Sequence, residues 1–385
     1  MKKLVVSFLV MLLLCPMVVK ADDNTLIPNA KSGVLMEEST GKIIFEKNKD
    51  EKVAVASMTK MVAQILILEA IEKGQIKWTD KVTASANASS MGGSQIYLST
   101  GETLTVEEMM KGISMASAND ATVAMAEFLK GTEIDFVKEM NKKVKELGLK
   151  NTQFKNCTGL DEEGHYSTAY DMAVIARELL KHEDILKFSS KYEDYLRVNT
   201  PNKFWLVNTN KLVRFYEGAD GLKTGHTDAA KYCLAATAKK NDMRLIAIVL
   251  GEEVSKVRNS ETMALLDYGF NTYGLQIVKK KNETVKTERI EKASTKKIEY
   301  TPIYDIGVLS KKSDAKKKYS YDIKITKNNL PLIKGEVVGK IKIKDGNNVV
   351  GEGNLTVKKS TKKLSYLILL RNTIYDIASG NSSVK

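Results

Sequence analysis

A chain of 385 residues, 43% hydrophobic and 28% charged, is long enough for about two domains and too apolar for a disordered polymer. Its net charge of +13 is unevenly placed: from Gln276 on there are 25 Lys and Arg against 11 Asp and Glu, which leaves 35 and 36 before it. Two regions of different character meet there, and with no nucleic-acid motif in either, the basic one suits anionic lipid or wall polymer rather than nucleic acid.

Residues 1–21, MKKLVVSFLVMLLLCPMVVKA, join Lys2 and Lys3 to an apolar stretch and a small-residue end. They read as a secretory leader, because about 16 apolar residues broken by Pro16 fall short of the roughly 20 that a spanning helix needs. The mature chain then holds only Cys157 and Cys233. That is too few for a disulfide framework, so stability must come from a packed core, and whether the two pair is left open.

From Lys31, KSGVLMEESTGKIIFEKNK reads as two short strands round a Ser-Thr-Gly turn. Helical periodicity follows from Ser57 to about Lys73, then over residues 106–131, 134–149 and 167–182. Strand signals return in YCLAATAKKNDMRLIAIVLGEE, with KKND as the turn, and SKVRNSETMALLDYGFNTYG reads as a last helix. Strands, helices and strands again predict an α+β fold over residues 22–275, an antiparallel sheet whose edges come from both ends of the region, with a helical cluster packed on it.

Short alternating runs such as KIEYTPIYDIGVL, YSYDIKIT and VVGKIKIKDGNNVVGEGNLTVK then predict a small all-β domain over residues 276–356, with Asp345-Gly346 as a hairpin turn. Residues 357–385 are left as a basic tail. Its apolar core, residues 364–370, is too short to cross a bilayer and runs into Arg371. On a helical wheel Ser365, Asn372, Thr373 and Asp376 gather opposite Leu364, Leu367, Ile368, Ile374 and Ile377, with Leu369 and Arg371 out of place. The tail is therefore expected to lie on a membrane surface as a helix, a final strand being the alternative.

VASMTKMVAQILILEA, residues 55–70, sets Ser57 and Lys60 three apart at the mouth of an apolar helix. Positions i and i+3 share a helix face, and a helix start favours negative charge. A lysine held there beside apolar surface loses hydration, so its neutral amine becomes able to take the serine proton. Taken alone, the pair fits an N-cap serine followed by a snorkelling lysine better. Histidine offers no rival base: His182 reads as solvent-facing in KHED, and His165 as a structural residue before a helix start.

Two further motifs decide between these readings. MASANDA supplies Ser117-Ala118-Asn119 and GADGLKTGHTDAA supplies Lys223-Thr224-Gly225; with S-x-x-K they form, in order, the signature shared by penicillin-binding proteins and class A β-lactamases. The sequence resembles the low-molecular-weight penicillin-binding proteins that act as serine-type D-alanyl-D-alanine carboxypeptidases, from about Leu26 to Gly274, through SGVLMEESTGKIIFEKN, HYSTAYDMAVIARELL, NTNKL, DGLKTGHT and LLDYGF. The β region and the tail match that family more loosely.

The resemblance implies Ser57 as nucleophile, Lys60 as its base, Ser117 as proton relay to the leaving amine and Asn119 as holder of the acyl-side amide. It further implies an oxyanion hole from the backbone N–H groups of Ser57 and His226, a positive field from Lys223, and Thr224 and Arg258 on the substrate's terminal carboxylate, with Gly225 completing the substrate strand. It implies stem peptides ending in D-Ala-D-Ala and β-lactams as ligands, no metal or cofactor, and a peripheral place on the outer face of the cytoplasmic membrane. A β-lactamase shares the three motifs, but Glu178, Glu183 and Asp184 sit in what reads as a helix end. A non-catalytic wall-binding or penicillin-sensing protein would not need every motif intact.

Overall fold

The computed structural model describes residues 26–378, so the leader expected over residues 1–21 lies outside the described residues. Ser32–Glu37 (β1) and Ile43–Lys47 (β2) form the expected hairpin, whose turn is closed by the Glu37 carboxylate accepting from the backbone N–H groups of Ser39 and Thr40 at 3.0 and 2.8 Å. Two small hairpins, Lys81–Thr83 (β3) with Thr103–Thr105 (β4) and Glu193–Leu196 (β5) with Phe204–Val207 (β6), stand apart from the main sheet. Ala219–Thr227 (β7), Lys231–Lys240 (β8) and Met243–Glu252 (β9) complete that sheet in the order β2-β1-β9-β8-β7, every neighbour antiparallel. Its edges come from both ends of the region, and the strand carrying Lys223-Thr224-Gly225 is one of them.

Helices cover both faces. Lys60–Glu72 (α1), Val106–Lys111 (α2), Asn119–Lys130 (α3), Glu133–Glu146 (α4) and Ala169–Lys181 (α5) gather on one side, and Ser255–Thr272 (α6) packs on the other. In β9, Ile246, Ile248 and Leu250 join the core under the helical cluster while Leu245, Ala247 and Val249 join that under α6. Burial on both faces is why LIAIVL reads as an unbroken apolar run rather than an alternating one. α1 is apolar nearly all round and runs through the middle of the cluster, so its first residue, Lys60, is carried inside.

The single helical run read over residues 106–131 is broken in the structure. α2, opened by a Thr105–Glu108 capping box, passes into a π turn at Gly112–Ala116, Ser117 turns left-handed at φ +63°, and α3 starts only at Asn119. Apolar periodicity carries across the break because both helices bury their faces in the same core. His182 is also corrected: it is buried at the end of α5, its Nδ1 2.8 Å from Glu72 Oε1, because the chain folds back there against the end of α1.

α6 runs directly into Tyr273–Lys279 (β10), three residues before the point where the charge changes. Lys286–Arg289 (β11), Lys297–Pro302 (β12), Ile306–Lys311 (β13), Ser320–Ile325 (β14), Gly339–Asp345 (β15) and Asn348–Val357 (β16) follow. They pair as β11-β12-β16-β15-β14 and β10-β13, and β15 turns into β16 at Gly346, with φ +59°. The unit does not end at residue 356. Residues 358–364 run antiparallel beside residues 292–299, Thr361 exchanges backbone bonds with Leu332 at 2.8 and 3.0 Å, and its side chain is buried. The tail proper therefore begins after Leu364 and is a helix, Tyr366–Ala378 (α7), not a strand. No helix among the described residues is long and apolar enough to cross a membrane.

Candidate active site

Ser57 sits in a 3-10 turn, Ala56–Thr59, that leads into α1, immediately after Ala56 in a strained left-handed conformation at φ +47°. In a 3-10 turn positions i and i+3 eclipse. The Lys60 amine accordingly lies 2.9 Å from the Ser57 hydroxyl oxygen. Lys60 is fully buried, and its amine also meets Asn119 Oδ1 at 2.6 Å and the Thr158 carbonyl at 2.7 Å. Burial draws its pKa down to about 7, against a small opposing pull from Cys157 and Asp120.

The second motif is placed by the helix break. The left-handed turn at Ser117 leaves it buried beside the start of α3, and Asn119 Nδ2 donates to the Gly92 carbonyl at 2.7 Å, which fixes its oxygen toward Lys60. Asp120 ties the same loop by accepting from the backbone N–H groups of Ile96 and Leu98.

The third motif lies along the edge strand. β7 passes so close to the segment before the nucleophile that a Cβ on Gly225 would stand 2.6 Å from the Val55 carbonyl oxygen, so only glycine fits. Lys223 is buried with its amine 3.2 Å from the Thr224 carbonyl, and burial, then the neighbouring Lys60 and Arg258 charges, hold its pKa well below the usual lysine value. Thr224 donates to Thr209 Oγ1 at 2.7 Å, and exposed His226 stacks on Tyr232 with centroids 4.1 Å apart.

Arg258, on the first turn of α6, is buried among neutral acceptors: Asn259 Oδ1 at 2.8 and 3.1 Å and the Cys233 carbonyl at 3.4 Å. No carboxylate pairs with it among the described residues. The charges of Lys60 and Arg258 both act on buried Lys223, and neither Lys223 nor Arg258 is in an ion pair among the described residues.

Hydrogen bonds bring Ser57, Lys60 and Asn119 together and the charges of Lys60 and Arg258 reach Lys223, while Ser117 is buried just before Asn119; several residues not expected from the sequence come with them. Thr158 holds the Lys60 amine, and a Cβ on Gly159 (φ +83°) would overlap the Ala56 carbonyl oxygen at 1.9 Å. These two carry no motif of their own. Thr209 lies in the NTNKL stretch that contributed to the resemblance without a role being visible. Beside Gly159 a hollow of about 370 Å³ opens among Ala54, Ala56, Leu160, Asp161, Glu163 and His165.

His165 is a scaffold residue, bonded to Thr59 Oγ1 at 2.8 Å and accepting from the Lys155 N–H, with burial lowering its pKa to about 4. Cys157 and Cys233 are both free and buried. Glu178, Glu183 and Asp184 pair with Lys181, Lys281 and Lys187 at the far end of α5, so none of them serves the site. No group of side chains suited to a metal ion occurs among the described residues.

A serine with a buried lysine beside it, at the junction of a helical cluster and a sheet edge, defines a serine acyl-transfer enzyme of the penicillin-binding class. A family model described as D-alanyl-D-alanine carboxypeptidase matches residues 19–254, and one described as the C-terminal domain of penicillin-binding protein 5 matches residues 273–363. The chain is 51% identical to the D-alanyl-D-alanine carboxypeptidase DacF of Bacillus subtilis over 92% of its own length and 91% of the relative's. Penicillin-binding protein 5 of Haemophilus influenzae superposes with a TM-score of 0.68 at 30% identity, over 87% of this chain and 98% of that one. Penicillin-binding protein D2 of Listeria monocytogenes, solved with ampicillin bound, does so at 0.57 and 32% over 63% and 98%. The chain belongs to the D-alanyl-D-alanine carboxypeptidase family.

Proposed function

We propose the following division of labour for the serine-type D-Ala-D-Ala carboxypeptidase activity of this protein. Ser57 Oγ attacks the carbonyl of the penultimate D-alanine, the bond to the terminal D-alanine breaks, and water then hydrolyses the Ser57 ester. The observation that carries the reading is the setting of the Lys60 amine. Neutral, it has two N–H groups, and two oxygens that can only accept, Asn119 Oδ1 and the Thr158 carbonyl, stand 2.6 and 2.7 Å away. Its lone pair is left for the Ser57 hydroxyl, which donates the proton that the amine removes.

Ser117 passes a proton to the leaving amine, and Asn119, keeping its Oδ1 on Lys60, offers its second amide N–H to the acyl-side amide. The backbone N–H groups of Ser57 and His226 receive the developing oxyanion. Thr224 and Arg258 take the terminal carboxylate, and Lys223 adds to the positive field beside that anion. The test is mass spectrometry after penicillin treatment, alongside D-alanine release from a peptide ending in D-Ala-D-Ala. A single adduct on Ser57 with turnover of the peptide is expected; an adduct elsewhere, or none, overturns the assignment, and faster β-lactam hydrolysis than peptide hydrolysis would make the enzyme a β-lactamase.

The setting we propose is the outer face of the bacterial cytoplasmic membrane, the leader directing export and α7 lying on the lipid surface. Support for the second part is that Tyr366, Leu367, Leu370, Ile374 and Tyr375 of α7 are all exposed in a helix too short to span a bilayer. In this setting the substrates are peptidoglycan stem peptides ending in D-Ala-D-Ala, with β-lactams as inhibitors.

A further inference from the structure

The antiparallel ribbon at the base of α7 carries charge that the fold does not neutralise. Residues 358–364 are stitched to residues 292–299 by Lys358 N–H to the Glu299 carbonyl at 2.9 Å, Ser294 N–H to the Lys362 carbonyl at 2.8 Å and Leu364 N–H to the Lys292 carbonyl at 2.9 Å. The Ser294 and Thr361 hydroxyls, 3.0 Å apart, pin its middle. Seven lysines ride on this ribbon: 292, 296 and 297 on one strand, 358, 359, 362 and 363 on the other. Glu291 pairs with Lys296 and Glu299 with Lys358, each at 3.6 Å. The other five are exposed and in no ion pair among the described residues.

Like charges gathered on neighbouring strands repel, so the fold alone gains nothing from this arrangement. An external anion is the partner that turns the repulsion into attraction. Its nature follows from what adjoins the ribbon: the ladder ends at Leu364, and the exposed apolar side chains of α7 begin two residues later at Tyr366. A soluble polyanion has no use for an apolar helix, whereas an anionic bilayer offers headgroups to the lysines and acyl chains to Tyr366, Leu367 and Leu370 within one surface.

We infer that the 292–299/358–364 ribbon is a second membrane-docking element, laid on anionic headgroups beside α7. This rests on the reading of α7 as surface-bound. Because the ribbon is part of the β unit whereas α7 hangs from its end, the ribbon rather than the helix sets how the β unit stands on the membrane.

Partition onto phosphatidylcholine vesicles with and without phosphatidylglycerol tests this, using the intact protein, a Lys292→Gln/Lys297→Gln variant, a Lys324→Gln/Lys342→Gln variant of equal net charge, and a chain ending at Ser365. Lys324 and Lys342 are exposed and unpaired like the ribbon lysines but lie on the outer face of β14 and β15. Each ribbon lysine removed should weaken binding to the anionic vesicles about fivefold, about 30-fold for the pair, with the β14–β15 variant unchanged and soluble-peptide turnover unaffected throughout. Equal losses in the two double variants would mean net charge alone acts, and no loss in the ribbon variant would leave α7 as the sole anchor; either result overturns the inference. If instead the chain ending at Ser365 binds as well as the intact protein and the ribbon variant does not, the reading of α7 fails and the ribbon stands.

Discussion

Lys60 Nζ and Asn119 Oδ1 are 2.6 Å apart inside the protein, and Gly92 holds the amide so that only its oxygen can face the amine. In the proposed mechanism this contact and the one to the Thr158 carbonyl take up the two N–H groups of the neutral amine and leave its lone pair to Ser57. With the pKa of Lys60 drawn to about 7, the acylation rate by a β-lactam should rise about tenfold per pH unit below 7 and level off above it. Lys60→Ala should lose acylation by at least about 10³-fold while its Tm stays close to wild type, and Lys60→Arg, permanently charged, should be equally inert. Stopped-flow acylation across pH 5–9 checks this, and a flat profile would remove Lys60 as the base.

Arg258 and Asn259 form the second testable pair. Arg258→Ala should reduce kcat/KM for a peptide with a free terminal carboxylate by about 30-fold, about 2 kcal/mol, and leave the amidated peptide unchanged. Asn259 gives the guanidinium a neutral acceptor, which fixes it without cancelling its charge. Asn259→Asp should therefore mimic Arg258→Ala with the arginine still present, by supplying the carboxylate that substrate ought to bring. The ratio of free-acid to amide turnover in the two variants measures this directly.

Gly159 was invisible to motif reading, yet its position admits no other residue. With φ at +83° and the Ala56 carbonyl oxygen 1.9 Å from where a Cβ would stand, Gly159→Ala must push residues 156–163 away from the nucleophile's turn. The neighbouring Thr158 carbonyl then leaves the Lys60 amine. Acylation should fall by about tenfold or more, a loss on the order of 1–3 kcal/mol, with a lowered Tm. A variant that acylates at the wild-type rate would show that the loop does not position Lys60.

Glu252 and Glu261 make a buried carboxyl pair at the end of β9. Burial, the hydrogen bond to Glu261 and then the Glu261 charge raise the Glu252 pKa far above the usual carboxylate range, while Glu261 accepts from Glu252 and from Asn29 and Ala30, bonds that outweigh its own burial. In this window the folded protein binds a proton that the unfolded chain releases, so stability must fall as pH rises from about 4.5 through the raised pKa. Glu252→Gln keeps the donor to Glu261 without the titration. It should match wild type near pH 4.5 and exceed it near pH 8 by on the order of 1 kcal/mol, about 2–4 °C in Tm. Thermal melts at the two pH values decide.

What the sequence revealed and what it hid divide along physical lines. The sheet and its helices were legible because apolar periodicity records burial, and Ser57, Lys60, Ser117 and Lys223 were legible because their chemistry restricts residue type at short spacing. The break at Ser117 was not, since α2 and α3 present apolar faces to one core and the period runs on across the turn. His182 misled because a polar neighbourhood in sequence says nothing of Glu72, 110 residues away, which buries it. Thr158, Gly159 and Thr209 act through backbone position or a lone hydroxyl, and only the fold brings them to the site.

The same limit misplaced the boundary of the tail, and this gives the last prediction. Lysines 358, 359, 362 and 363 read as the start of the basic tail, but Thr361 between them is buried and exchanges backbone bonds with Leu332, itself buried in the β unit's core. A chain ending at Val357 removes those bonds and uncovers Leu332 and Ala293. A chain ending at Ser365 keeps them and loses only α7 and the residues beyond it. The longer truncation product should melt like the intact protein, whereas the shorter should lose about 2–4 kcal/mol from the β unit and become sensitive to protease there. Both should release D-alanine from a soluble peptide at the intact rate, because no residue placed at the site lies beyond Arg258, in the catalytic unit that both products keep whole. Equal protease resistance in the two products would place the end of the folded unit at Val357 after all.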